Sequence, residues 1–288
     1  MFKFNFNIDG PESDSNLEYD STQELQKKNR LYWYDVDEIF LDKSKHSNIS
    51  LYKQNSKCFS FLDQQLFVVS YEKQIKLQQT IKNSIKNADL NHSDLVTAVY
   101  EGGAKIWECT EDLLIYMLQN KITENISGKL VLDLGCGTGL LGIFAAFNNA
   151  IVHFQDYNKD VLELVTIPNV LINLPFNSWL ESSQMKFFSG DWSKYVEATK
   201  NSPRFDLILS SETIYNPDNH AKLLNTFAEK LKSTGLIYLA AKTHYFGVGG
   251  GLRQFEDLIV RDNRFKSKIV WKSTIGVCRE ILEIKFKS

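Results

Sequence analysis

Val131-Leu132-Asp133-Leu134-Gly135-Cys136-Gly137-Thr138-Gly139-Leu140-Leu141-Gly142 is a short apolar strand that breaks into a glycine run and reopens as a helix. Strand, tight loop and helix in succession make the geometry that holds a nucleotide-type cofactor. Alternate glycines lack a Cβ, so the backbone turns sharply and a ligand can approach the main chain, while the following helix presents N–H groups without intrahelical partners. Two cofactor classes satisfy the glycines alone. Gly137, Gly139 and Gly142 spell G-x-G-x-x-G, and Asp156 closes the next apolar run, where a dinucleotide enzyme holds its ribose. Asp133 separates the two. An anionic pyrophosphate gains nothing from a carboxylate two residues before the first glycine, whereas the sulfonium and ammonium of S-adenosylmethionine are attracted to it.

The rest of the chain fits a soluble enzyme. Its 288 residues accommodate one α/β catalytic domain and an N-terminal extension. A formal charge of −2, with Lys/Arg and Asp/Glu nearly balanced, leaves no basic stripe for nucleic acid. Cys58, Cys109, Cys136 and Cys278 are scattered without paired spacing, which suits a reducing compartment. Met1-Phe2-Lys3-Phe4-Asn5-Phe6 lacks the apolar core of a signal peptide, and no run of about 18 apolar residues follows. The expectation is a monomer of the cytoplasm and nucleus, away from membranes.

Residues 1–30 are polar and acidic, with Asp9, Glu12, Asp14, Glu18, Asp20 and Glu24, and read as a disordered tail. Residues 31–93 form an accessory region: Leu31-Tyr32-Trp33-Tyr34 is aromatic, and 59–62 and 66–69 read as short strands that pack a hairpin onto the core. From about residue 94 the pattern alternates. Helices are predicted over 112–119, 140–147, 161–173, 221–231 and 253–260, and strands over 130–134, 151–155, 185–188, 205–209 and 236–241. Two final strands, 268–272 and 280–286, turn at Gly276. An antiparallel hairpin would then close an otherwise parallel α/β sheet, a feature that the ordinary dinucleotide fold does not have.

The run Asp-x-Gly-x-Gly-x-Gly resembles the first motif of the class I, seven-strand methyltransferases. Five separated stretches narrow the likeness: Tyr100 to Thr110 (YEGGAKIWECT), His153 to Asn158 (HFQDYN), Ile167 to Val170 (IPNV), Ser211 to Tyr215 (SETIY) and Tyr245 to Gly251 (YFGVGGG). Together they resemble the eukaryotic protein-histidine N-methyltransferases related to the seven-strand lysine enzymes. The resemblance covers residue 94 onward and only loosely the N-terminal third. It implies a Rossmann-like seven-strand α/β sheet, S-adenosylmethionine as cofactor, and methylation of the tele nitrogen (Nε2) of a histidine in a large-subunit ribosomal protein.

The site residues follow from their places at strand ends. Asp156 is positioned to accept the ribose hydroxyls. Asp191 and Trp192, after the third strand, stand where the resemblance implies an acid for the adenine amino group and an apolar face for its ring; taken alone, a buried Trp is more often core. Trp107 either covers the cofactor or anchors the accessory layer. Gly135, Asn158 and Ser210, with Asp133, Gly137 and Gly139, complete the cofactor-binding set. A histidine acceptor is mostly neutral at pH 7 and needs no strong base, only a carboxylate that receives the other ring N–H and so selects the tautomer. Glu212 is the candidate, with Tyr215 lending a hydroxyl or a ring wall; the bland alternative is a helix cap and a packed ring. His92, His153, His220 and His244 show no metal-ligand spacing, and the chemistry needs no metal. Of these His244, before a glycine-rich loop, is open to two readings, contact with substrate or the commoner solvated loop position. Two other readings compete: a lysine methyltransferase of the same fold, and an inert cofactor-binding adaptor in ribosome assembly.

Overall fold

The computed structural model describes residues 34–41, 48–77, 100–175 and 184–287. The acidic tail, Trp33 and His92 lie outside them. β4 (Leu130–Leu134), β5 (Ile151–Asp156) and β7 (Phe205–Ser211) are the sheet's centre. They are apolar on both faces because both are covered, which is what a parallel sheet requires. Adjacent residues serve opposite layers. Val131, Val152 and Phe154 pack with α3 (Glu108–Gln119), α4 (Leu140–Phe147) and α5, which runs through Lys159–Val161, a π-helical turn Leu162–Thr166, and Ile167–Asn173. Leu132, Leu134 and Ile208 pack with α6 (Trp192–Ala198), α7 (His220–Lys230) and α8 (Leu252–Asp262).

With β6 (Met185–Ser189), β8 (Leu231–Lys242), β9 (Phe265–Lys272) and β10 (Arg279–Phe286), the strand order is β6-β5-β4-β7-β8-β10-β9. β10 runs antiparallel to both its neighbours, the terminal hairpin expected from the sequence. The chain leaves β4 first toward β5 and later crosses to β7, so a crevice opens at the carboxyl end of β4, where open α/β sheets bind ligands.

An eighth strand was not expected. β1 (Asp37–Ile39) pairs antiparallel with β6 at the sheet edge. Three residues, two of them exposed, carry too little periodicity to be read from sequence. The two apolar runs of the accessory region form a separate hairpin, β2 (Ser56–Phe61) and β3 (Gln64–Val69), between α1 (Ile49–Gln54) and α2 (Tyr71–Leu77). The hairpin is tied to α5 by side-chain amides. Asn173 Nδ2 donates to the Phe67 carbonyl at 2.7 Å, and its Oδ1 accepts the Phe67 N–H at 2.8 Å. Among the described residues, no helix is long and apolar enough to cross a membrane.

Candidate active site

A cavity of about 740 Å³, measured to its open mouth, occupies the crevice. Of the residues expected from sequence, Trp107, Gly135, Gly137, Asp156, Asp191, Trp192, Glu212 and Tyr215 line it. Asp133, Gly139, Asn158 and Ser210 do not. Each of these four acts one layer behind the wall.

Asp133 departs most from expectation. Its Oδ2 accepts the Gly142 N–H at 2.8 Å, holding the first turn of α4 instead of facing a cation across the cavity. Burial, and then the nearby Asp156 charge, push its pKa up to about 8, against the pull of the Gly142 bond. Asn158 Oδ1 accepts the Glu101 N–H at 3.0 Å, which fixes the Glu101 to Gly103 segment beside Asp156 and Gly137. Ser210 Oγ donates to the Leu134 carbonyl and shares a 2.8 Å hydrogen bond with Thr213, bracing the ends of β4 and β7. The glycines serve close approach within the protein. At Gly137, φ is +49° and a Cβ would stand 2.8 Å from the Gly103 carbonyl oxygen. Position 137 therefore has no room for a side chain, because the Gly102-Gly103 turn presses on it.

Two loop anchors escaped the sequence reading. The π-helical turn brings Thr166 Oγ1 to the Gly137 carbonyl at 2.5 Å, and Asn169 Nδ2 donates to the Thr138 carbonyl at 2.9 Å. The IPNV run contained Asn169, yet nothing in its spacing told which carbonyl it meets.

On one side of the cavity, Asp156 accepts the Gly137 N–H at 2.8 Å with Oδ2 and the Asn158 N–H at 3.1 Å with Oδ1. Burial raises its pKa to about 6 despite these bonds. With the Tyr157 N–H also directed at it, the carboxylate keeps acceptor capacity for a ligand hydroxyl. Asp191 caps α6 through the Ser193 N–H at 2.9 Å and pairs with Lys222 at 2.6 Å. Trp192 is steered by Gln155, whose Oε1 accepts the indole N–H at 2.9 Å while its Nε2 donates to the Gly190 carbonyl at 2.7 Å. Tyr157, also in the wall, stacks on Tyr34 from the edge segment, with centroids 5.0 Å apart.

The other side carries Glu212. It follows β7 with φ +58°, a left-handed backbone uncommon for a residue with a side chain. Neither of its buried carboxylate oxygens has a hydrogen-bond partner. The cap of the short Pro217–Asn219 helix is instead Asn216, so Glu212 is not spent there. Lys242 Nζ lies 3.8 Å from Glu212 and 3.1 Å from Glu108. Burial, and then the Glu212 charge, push the Cys109 thiol and the Tyr245 hydroxyl well above their ordinary pKa values. Tyr215 stands edge-on to Tyr245 at 6.4 Å. Trp107 donates its indole N–H to the Gly102 carbonyl at 3.0 Å and carries Lys105 above its ring at 5.0 Å. Asn219, which was not expected from sequence, brings a buried Oδ1 without a partner to the same wall.

Four carboxylates, Glu101, Asp156, Asp191 and Glu212, line a cavity that also has aromatic walls. Such a donor set suits a nucleoside bearing positive charge better than an anionic pyrophosphate, and S-adenosylmethionine fits it. His153 is core, its pKa lowered to about 4 by burial, and His220 is buried with Nε2 2.8 Å from the Ile214 carbonyl. His244 is exposed, edge-on to Phe246, and does not line the cavity. Among the described residues, no group of three or more metal-type ligands comes together.

Comparison with known proteins agrees with this geometry. Residues 85–247 match a family model described as lysine methyltransferase. A histidine protein methyltransferase 1 homolog of Dictyostelium discoideum is 46% identical over 200 residues, covering 69% of this chain and 62% of the relative. Histidine protein methyltransferase 1 of Saccharomyces cerevisiae is 30% identical over 256 residues, 68% of this chain and 67% of the relative. The matched part thus spans about six tenths of the Dictyostelium protein's length. A solved S-adenosylmethionine-dependent methyltransferase from Agrobacterium tumefaciens shares the fold, with a TM-score of 0.52 at 14% identity over 81% of this chain and 71% of that one.

Proposed function

The chain belongs to the lysine methyltransferase family of that model and, within it, with the histidine protein methyltransferases; from that premise we propose that it methylates a protein histidine at the tele nitrogen, in a large-subunit ribosomal protein. The observation that carries this reading is Glu212: a buried carboxylate in the cavity wall whose two oxygens complete no hydrogen bond of good geometry within the protein, although the Cys109 thiol and the Tyr245 hydroxyl face it. A buried acceptor left open costs free energy unless a ligand donor fills it.

When bound, S-adenosylmethionine supplies a methyl group on a positively charged sulfur. Asp156, the glycine loop and Trp192 would hold its nucleoside; Trp107 and the aromatic walls exclude water. Glu212 accepts the N–H of one ring nitrogen of the target histidine, leaving the lone pair of the other nitrogen free as nucleophile. Once methylated, the ring is cationic until that N–H proton is shed, and the carboxylate stabilises it meanwhile. Positioning of this kind supplies much of the acceleration in a displacement that needs no added base.

A lysine acceptor is the second reading, favoured by the description of the family model. An inert adaptor would have no reason to keep Glu212 strained and unpartnered. Incubation with labelled cofactor and separated large-subunit ribosomal proteins, followed by amino-acid analysis, tests the proposal: tele-methylhistidine supports it, methyllysine alone or no label overturns it.

A further inference from the structure

Glu212 needs two properties that conflict. It must stay ionised although its side chain is only 6% exposed, and its oxygens must stay uncommitted. A buried carboxylate is kept charged most directly by a salt bridge, but a salt bridge occupies the oxygens.

The surroundings of Glu212 resolve this conflict. Lys242 brings its ammonium to 3.8 Å, near enough for Coulomb attraction and beyond hydrogen-bond contact. What keeps it there is on its other side. Glu108, at the first position of α3, takes the ammonium at 3.1 Å, and the rings of Trp107 and Tyr245 stand 5.6 and 5.9 Å from it. The remaining groups facing Glu212 are the Cys109 thiol of α3 and the Tyr245 hydroxyl after β8, both held neutral by their raised pKa values. Asp112, one turn along α3, is paired with Arg279.

We propose that Glu108 and Lys242 are a positioning pair for methyl transfer: Lys242 sets its charge opposite the buried Glu212 carboxylate, and Glu108 holds the ammonium back so that it takes up neither oxygen needed by the acceptor ring. This rests on the reading of Glu212 as the acceptor of the ring N–H. It separates two effects that a direct salt bridge would merge. Losing the ammonium removes the charge that opposes the carboxylate, so the acceptor ring is drawn toward the imidazolium and the rate rises only at higher pH. Losing Glu108 lets Lys242 close on Glu212 and compete with substrate.

The test uses Glu108→Gln, Lys242→Met and Lys242→Arg in the full chain, with a large-subunit ribosomal protein fraction as acceptor. Methylhistidine formation is followed from pH 5.5 to 9, and S-adenosylhomocysteine affinity is measured by calorimetry. Glu108→Gln should raise the apparent KM for the protein fraction about fivefold or more, and Lys242→Met should move the acidic limb of kcat up by about one pH unit, as expected when a cation close to the acceptor ring is lost. Lys242→Arg should keep the wild-type limb. Affinity for S-adenosylhomocysteine should stay within about twofold in all three, since the pair does not touch the nucleoside side. Wild-type KM and pH profile in both Glu108→Gln and Lys242→Met, with histidine still labelled, overturn the pair and leave the proposed function standing. Equal losses of rate and S-adenosylhomocysteine affinity overturn it as well, by showing a merely structural role. A wild-type enzyme that labels only lysine overturns the functional reading, and this inference with it.

Discussion

Asp133 Oδ2 accepts the Gly142 N–H at 2.8 Å, so the acid at the head of the glycine run clamps the loop from beneath. Its neighbours explain why it points there. Leu132 and Leu134 face the layer of α6, α7 and α8, while Val131 and Asp133 face the side of α4. The alternation of a strand, not the chemistry of the ligand, sets the direction of this side chain.

That burial has a pH signature. The native pKa of Asp133, about 8, lies above the ordinary 3.8, so the folded protein holds the proton more tightly than the unfolded chain. Its contribution to stability is complete below about pH 4 and is lost as pH rises toward 8, on the order of a few kcal/mol. Thermal unfolding of the ligand-free protein should show Tm falling between pH 5 and 8, and Asp133→Asn, which keeps an acceptor for Gly142, should flatten that fall. Parallel curves for the two proteins would show that Asp133 does not titrate in this range.

Asn169 links the accessory hairpin to the cofactor loop. Its Oδ1 accepts the Val69 N–H at 2.8 Å and its Nδ2 donates to Thr138. Asn169→Ala leaves a buried N–H and a buried carbonyl unpaired, a loss of roughly 2–4 kcal/mol. Beyond the lower Tm, S-adenosylhomocysteine affinity should drop about fivefold or more, because the Thr138 turn loses its anchor. An unchanged affinity would mean that the hairpin and the loop are merely neighbours.

What sequence made legible and what it hid divide along physical lines. Asp156, Asp191, Trp192, Glu212 and Tyr215 sit at or just past strand ends, and strand ends can be read from apolar runs, so all five were placed on the cavity. Thr166, Asn169, Gln155 and Lys242 act across the fold from elements distant in sequence, and no local spacing announces which partner they meet. The helix begun at Glu108 was expected only from residue 112, which hid the place of Glu108 beside Lys242. The edge strand Asp37–Ile39 exists because Ser189 and Phe187 offer it a ladder, a long-range fact.

Glu212 should be a position where function opposes stability. Its left-handed backbone costs about 1–2 kcal/mol, which Glu212→Gly relieves against about 0.5–1 kcal/mol of added chain entropy. Removing a buried carboxylate that completes no hydrogen bond tips the balance further toward the variant, while Lys242 keeps its contact with Glu108. Glu212→Gly should therefore melt at or slightly above the wild-type temperature while methyl transfer falls about a hundredfold or more. Melting several degrees lower would mean that the side chain supports the fold, and that the strain serves packing instead of an acceptor.

The pH dependence of the rate distinguishes histidine from lysine without knowledge of the target sequence. At saturating protein substrate, a single-turnover rate limited by methyl transfer follows the fraction of acceptor that is neutral. For histidine, with a pKa near 6.5, the rate should rise through about pH 6 to 7 and then flatten, since nearly all of the ring is already the nucleophile. A lysine near 10.4 behaves otherwise: with no strong base in the site, its rate climbs roughly tenfold per pH unit through 9. Glu212 bends the histidine curve in a known direction, because a carboxylate beside the ring favours the imidazolium and moves the rise to higher pH. Glu212→Gln should then shift the rise back toward lower pH while reducing the plateau. A steep rise still unsaturated at pH 9, together with methyllysine in the acid hydrolysate, would decide against histidine.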